Sequence, residues 1–210
     1  MTIDQSTATP IRVAVCIAPG TEEMEAINTI DILLRAGFDV TTASADSNGE
    51  LIVTGSRGIK LVADVALAKI ADEQFDCVVL PGGLGGSECF RDSPLVIEFV
   101  KQHHFDGKLV AAICAAPALV FVHHQLFPKA IMTAHPAFHS HIPEQQLRVK
   151  RVVYDKNDNL LTSQGPGTSQ EFALAIIAQL AGKPLAADVA EPMVMWPHMH
   201  FDIMPKGETR

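Results

Sequence analysis

Two kinds of hydrophobic pattern alternate along the chain. Arg12 to Ala18 is a nearly unbroken, valine-rich apolar run, which predicts a strand buried on both faces. Pro19-Gly20-Thr21 turns the chain, and Glu22-Glu23 predict a helix start, where acidic groups favour the helix dipole. Met24, Ile27, Ile30 and Leu34 recur at helical spacing, and Gly37 closes that helix. Phe38 to Ala43 predicts a second strand, Leu51 to Ala63 a hairpin around Gly55 and Gly58, and Val65 to Ala71 a short helical stretch. Asp76 to Leu80 is another buried strand, ending in Pro81-Gly82-Gly83. Ser93-Pro94 caps and starts a helix to about His104. Lys108 to Ile113 predicts a buried strand, with Cys114 immediately after it and helix from Ala115 to His123. Arg148 to Tyr154 and Leu160 to Ser163 predict paired strands around Asn157-Asp158-Asn159, and Thr168-Ser169-Gln170-Glu171 reads as a capping box opening a helix to about Ala181.

Strands and helices alternating at these lengths predict an α/β domain with a mainly parallel sheet. With 210 residues, 48% of them hydrophobic, one domain with one sizeable core is expected. We expect a flexible leader over 1–10, the folded domain over 11–195 and an irregular tail over 196–210. The formal charge of −8 argues against a nucleic-acid or anionic-membrane partner. No apolar run approaches the ~20 residues that cross a bilayer, and Met1 to Pro10 lacks the layout of a secretion signal. Four cysteines without a CxxC pair fit free thiols in a reducing cytoplasm.

Ligands of an open parallel sheet bind beyond the carboxyl ends of its strands. Glu25 falls just after the first strand, Gly82-Gly83 after a central one, and Cys114 at the end of the next. A strand, one polar residue, small residues and a helix make the layout of a nucleophile elbow, and Ala111-Ala112-Ile113-Cys114-Ala115-Ala116-Pro117 supplies the small neighbours. A thiol at a helix start has its anion favoured by the dipole and by free N–H groups. A buried structural thiol is the competing reading, because free cysteine is commonly interior.

Gly20-Thr21-Glu22-Glu23-Met24-Glu25, Leu80-Pro81-Gly82-Gly83, Ala112-Ile113-Cys114-Ala115-Ala116-Pro117, Thr133-Ala134-His135-Pro136 and Thr162-Ser163-Gln164-Gly165-Pro166-Gly167-Thr168-Ser169 together resemble the ThiJ/PfpI superfamily. Within it the chain is most similar to the branch of the parkinsonism-associated protein deglycase and its bacterial relatives, from about Arg12 to Met195. The resemblance implies a flavodoxin-like three-layer sandwich. It makes Cys114 the nucleophile or redox-sensing cysteine, Glu25 the protonated acid that hydrogen-bonds its thiolate, and His135 a proton shuttle. Gly82, Gly83 and Ala115 match the backbone segment of an oxyanion hole. Arg57 matches an arginine that reaches the site across a homodimer interface. The implied activity is that of a cofactor-independent cysteine enzyme, a hydrolase or lyase acting on 2-oxoaldehydes or their protein and nucleotide adducts. A stress sensor or chaperone whose Cys114 oxidises to sulfinate is the alternative.

Some departures narrow this expectation. Ala115 stands where the peptidase-like branch has histidine, and no Asp or Glu is evident to orient His135, which weakens an amidase or peptidase reading. Ala116 replaces a frequent glycine, and Gln164 a frequent arginine. Leu84-Gly85-Gly86 does not complete a dinucleotide fingerprint, and no cofactor is expected. His135, His139 and His141 cluster, as do His103-His104, His123-His124 and His198-Met199-His200, but none has metal-site spacing with cysteines; His139 and His141 could line the pocket. Glu22 and Glu23 read as first-turn acids, Cys16 and Cys77 as core thiols, and Cys89 as a candidate exposed thiol.

Overall fold

The computed structural model describes residues 9–195; the expected tail and nearly all of the leader lie outside them. Among the described residues nine strands form: β1 (Arg12–Ile17), β2 (Asp39–Ser44), β3 (Ile52–Thr54), β4 (Lys60–Val62), β5 (Val65–Ala66), β6 (Cys77–Leu80), β7 (Leu109–Ile113), β8 (Val152–Asp155) and β9 (Leu160–Ser163). Seven of them make one sheet in the order β5-β2-β1-β6-β7-β9-β8, all parallel except for the β8–β9 pair. The expected 51–63 hairpin is the separate antiparallel pair β3–β4. Five α-helices flank the sheet: α1 (Glu23–Arg35), α2 (Leu84–Asp92), α3 (Pro94–Phe105), α4 (Ser169–Ala181) and α5 (Lys183–Ala190).

Alternation along the buried strands sorts their side chains into two cores. Ala14, Cys16, Val78, Leu80 and Val110 face a layer containing Phe90, Val96, Phe99 and Phe121. Val13, Val15, Cys77 and Val79 face the other layer, with Ile32, Leu33, Phe172 and Ile176. This is the mixed α/β architecture, with a mostly parallel sheet between helices, that strand–helix alternation predicts. Because β1 lies between β2 and β6, the chain reverses direction across the sheet at β1, and the crevice there opens beyond the strand ends.

The structure departs from the sequence expectations in several places. Met24, Ile27 and Leu34 are 55%, 50% and 53% exposed; α1 instead buries Ala26, Thr29, Ile32 and Leu33. Burial of Thr29 costs little because its hydroxyl donates to the Glu25 carbonyl at 2.7 Å. Residues 65–69 hold the two-residue β5 and a 3₁₀ turn, not an α-helical stretch. Helix α2 has no counterpart in the sequence reading, because Gly85 and Gly86 hide it. Glycine is needed at 86: a Cβ there would stand 2.8 Å from the Thr21 Cα. Past the elbow the backbone makes a turn and then a π-helical segment, Pro117–Val122. The capping box at 168–171 is absent. The Thr168 hydroxyl pairs with Ser163 and with the Gly165 backbone, and Glu171 pairs with Arg151.

Candidate active site

Cys114 follows β7 with φ of 66°, a left-handed conformation that a side-chain-bearing residue adopts only when its surroundings hold it. Two backbone bonds do so: the Cys114 N–H donates to the Ser163 carbonyl at 3.0 Å, and its carbonyl accepts from the His135 N–H at 2.8 Å. The sharp turn lifts the half-buried thiol out of the strand line and into a cleft of about 580 Å³. Ser56, Arg57, Gly83, Ala115, His135 and Phe138 are among the residues lining it.

Glu25, in the first turn of α1, has no solvent exposure. Glu22 caps the same turn, its Oε2 accepting from the Glu25 N–H at 2.8 Å. The Glu25 Oε2 accepts from the Gly82 N–H at 2.7 Å, whereas Oε1 is buried without a hydrogen-bond partner among the described residues. Burial pushes the Glu25 carboxyl up to about 8, with the nearby Glu22 charge adding to the effect and the Gly82 N–H opposing it. The carboxyl therefore holds its proton at neutral pH. With Oε2 already accepting, Oε1 is the oxygen free to carry that proton. Gly82 must be glycine, since a Cβ would overlap the Cys114 side chain and stand 2.6 Å from Glu25 Oε2.

Burial pushes the Cys114 thiol up to about 12, and the Glu25 charge pushes in the same direction; the N–H groups of Gly83 and Ala115 oppose them. This corrects the expectation of a thiol acidified by a helix dipole, since no regular α-helix follows the elbow. A thiolate here depends on Glu25 being protonated, because an ionised carboxylate beside the sulfur is one of the causes that raise it.

The structure brings Cys114 and His135 to one cleft, with Glu25 buried beside the thiol and the Gly83 and Ala115 N–H groups at the sulfur. Gly82 differs from its two partners in the expected oxyanion segment: its N–H is given to Glu25, not to the thiol. Arg57 lines the Cys114 cleft of its own chain, so its place there requires no second subunit. The His135 Nδ1 accepts from the Ala137 N–H at 3.2 Å, leaving Nε2 as the nitrogen available to a ligand. Among the described residues no carboxylate orients that ring. His139 bonds the Ala134 carbonyl at 3.0 Å, and the wall beside His135 is built by Ala137 and Phe138 instead of His139 and His141. Burial pushes Cys16 up to about 12 and Cys77 also upward, as suits thiols inside strands. Among the described residues no group of three or more His, Cys, Asp or Glu side chains is arranged to hold a metal.

A second cleft, about 740 Å³, is lined by Pro19, Asp46, Cys89 and Leu95. It is larger, but its half-buried Cys89 is raised by burial and by three nearby carboxylates, and its thiol faces the Pro19 carbonyl at 3.6 Å. The smaller cleft exposes the thiol that the buried acid adjoins, which makes it the candidate site.

A parallel α/β sheet with a strained cysteine elbow and a buried carboxylic acid beside it defines a class of cysteine-centred α/β proteins. The chain belongs to the DJ-1/PfpI family, whose model matches residues 11–179. Protein dj-1beta of Drosophila melanogaster is 41% identical over 181 residues, 86% of this chain and 95% of the relative. The glutathione-independent glyoxalase DJR-1.2 of Caenorhabditis elegans is 31% identical over 178 residues, 83% of this chain and 90% of that protein. The crystal structure of the VC2308 protein superposes with a TM-score of 0.90 at 48% identity, covering 92% of this chain and 98% of that one. The glyoxalase among these relatives points to enzymatic activity in the family. No helix among the described residues is long and apolar enough to cross a membrane.

Proposed function

We propose that this protein is a cofactor-independent cysteine enzyme that converts 2-oxoaldehydes, free or as adducts on proteins and nucleotides, into 2-hydroxy acids. The observation that carries this reading is the pair of half-buried Cys114 and buried Glu25, with the Gly83 and Ala115 N–H groups facing the sulfur. The relative named as a glutathione-independent glyoxalase supports it. The Cys114 thiolate adds to the aldehyde carbon, and the new alkoxide takes a proton within the site, giving a hemithioacetal. Glu25 or His135 then moves the hydrogen on that carbon, as a proton, to the adjacent carbonyl carbon. The former aldehyde carbon is thereby oxidised to a thioester while its neighbour is reduced to an alcohol. Water cleaves the thioester, releasing the 2-hydroxy acid and restoring the thiol. No external oxidant or reductant is consumed.

The reading includes a homodimer, supported by the apolar face of Met24, Ile27 and Leu34 on α1 and of Ile52 and Val62 on the β3–β4 hairpin, all exposed. Sedimentation of the wild type and of Ile27→Asp tests it: two subunits are expected for the first and one for the second. For the activity, wild type and Cys114→Ala are incubated with methylglyoxal and lactate is followed. We expect turnover only from the wild type, a loss of roughly 10³-fold or more in the variant. Equal, near-zero lactate from both would remove the enzymatic claim.

A further inference from the structure

Glu23 is 5% exposed, two residues from Glu25, yet its carboxylate points away from the thiol pair. It reaches the turn between β3 and β4. Its Oε1 accepts from the N–H groups of Arg57 and Ile59, the first at 2.6 Å, and its Oε2 accepts from the Ser56 hydroxyl at 2.8 Å. Two backbone bonds join the same hairpin to the loop after β1: Gly20 N–H to the Thr54 carbonyl and Ser56 N–H to the Thr21 carbonyl, each at 2.8 Å. The turn so held forms one wall of the Cys114 cleft. Arg57 is part of that wall, and its guanidinium has no hydrogen bond or ion pair among the described residues. Among the described residues lining the cleft it alone carries a permanent positive charge. The Glu22 carboxylate, on the same rim, is already committed to the amide that starts α1.

We infer that Glu23 is a positioning residue that fixes Arg57 over the cleft, and that this pair makes the Cys114 site select electrophiles bearing an anionic group beside the reactive carbon. The inference rests on the reading of Cys114 as a reactive thiol but not on the turnover proposed for it.

Two reagents of nearly equal size separate charge from access: iodoacetate, an anion, and neutral iodoacetamide. Both alkylate a thiolate with loss of iodide. Their rates at Cys114 are measured by peptide mass mapping, which keeps Cys89 separate, and their ratio is compared among variants. Arg57→Ala is expected to lower the iodoacetate-to-iodoacetamide ratio by about three- to fivefold, the range of one partly exposed charge contact. Glu23→Ala should lower it similarly, and the double variant no further, because one residue acts through the other. Glu23→Gln keeps an acceptor for both N–H groups while losing the charge, so its ratio should equal or exceed that of the wild type. Glu23→Asp keeps the charge but cannot span all three partners, so its ratio should fall. If Glu23→Ala does not fold, Glu23→Asp alone and with Arg57→Ala decides the question. A role through charge alone would raise the ratio in Glu23→Ala and leave it unchanged in Glu23→Asp; either result overturns the inference, as would effects of Glu23 and Arg57 that multiply. A wild-type Cys114 inert to both reagents would overturn the reading of the site and this inference with it.

Discussion

Glu23 and Glu25 stand two residues apart at the start of α1, both buried, and their environments drive them in opposite directions. Burial pushes both carboxyls up. At Glu23, hydrogen bonds from Arg57, Ser56 and Ile59 outweigh burial, and the net shift is downward. At Glu25 burial prevails, the Gly82 N–H and, more weakly, the Cys114 side chain oppose it, and the value reaches about 8. Burial alone therefore does not set the protonation state of a carboxyl; the number of donors aimed at it does. Glu23 is a fixed anion that holds a loop, and Glu25 is a neutral acid held against a thiol.

The largest expected effect concerns stability. Glu25 is raised from 4.5 to about 8 on folding, so the native state binds a proton more tightly than the unfolded chain does. The stability this provides is complete below the unfolded value and is lost as pH rises towards 8. Against Glu25→Gln, which has no proton to lose, wild-type unfolding free energy should fall by roughly 3–5 kcal/mol between pH 4.5 and 8 and then level off. Urea unfolding across that range measures the difference, and parallel curves would break the contrast. Glu23 has the opposite sign: lowered on folding, it contributes stability above the ordinary carboxyl value that disappears as pH falls through its own lower one. Glu23→Ala should cost about 2–3 kcal/mol at neutral pH, because three donors lose their acceptor, and less in acid. A smaller effect tests the electrostatic part. Glu22→Gln removes a charge that helps to raise Glu25, so the Glu25 midpoint should move down in a carboxyl titration.

The elements that bury a continuous apolar run were legible in the sequence. Runs such as Val13–Ile17 and Val110–Ile113 tolerate only a doubly covered strand, and both lie in the parallel sheet. The residues that meet at the site were legible too, through the motifs that carry Glu25, Gly83, Cys114 and His135. What stayed hidden depended on tertiary partners. Helix α2 carries two glycines because it packs against the Pro19–Thr21 loop, and local propensity cannot report that loop. The apolar stripe of α1 is turned outward, while Thr29 and two glutamates take the inner face: the Thr29 hydroxyl donates to the Glu25 carbonyl one turn back, and backbone N–H groups from distant segments satisfy the glutamates. Glu23 read as one more first-turn acid, since nothing near it in sequence marks a turn 34 residues away as its partner. Arg57 could not be assigned to its own chain's cleft until the hairpin was folded over the elbow.

The chemistry proposed for the site requires that Glu25 hold a proton beside Cys114 at neutral pH. Infrared difference spectra of wild type against Glu25→Gln, with glutamate carbon isotopically labelled, read that proton directly through the carbonyl stretch of an un-ionised carboxylic acid. We predict that this band is present at pH 7 and vanishes as pH rises through about 8. Its absence at pH 7, with only the ionised carboxylate bands changing, would contradict the account.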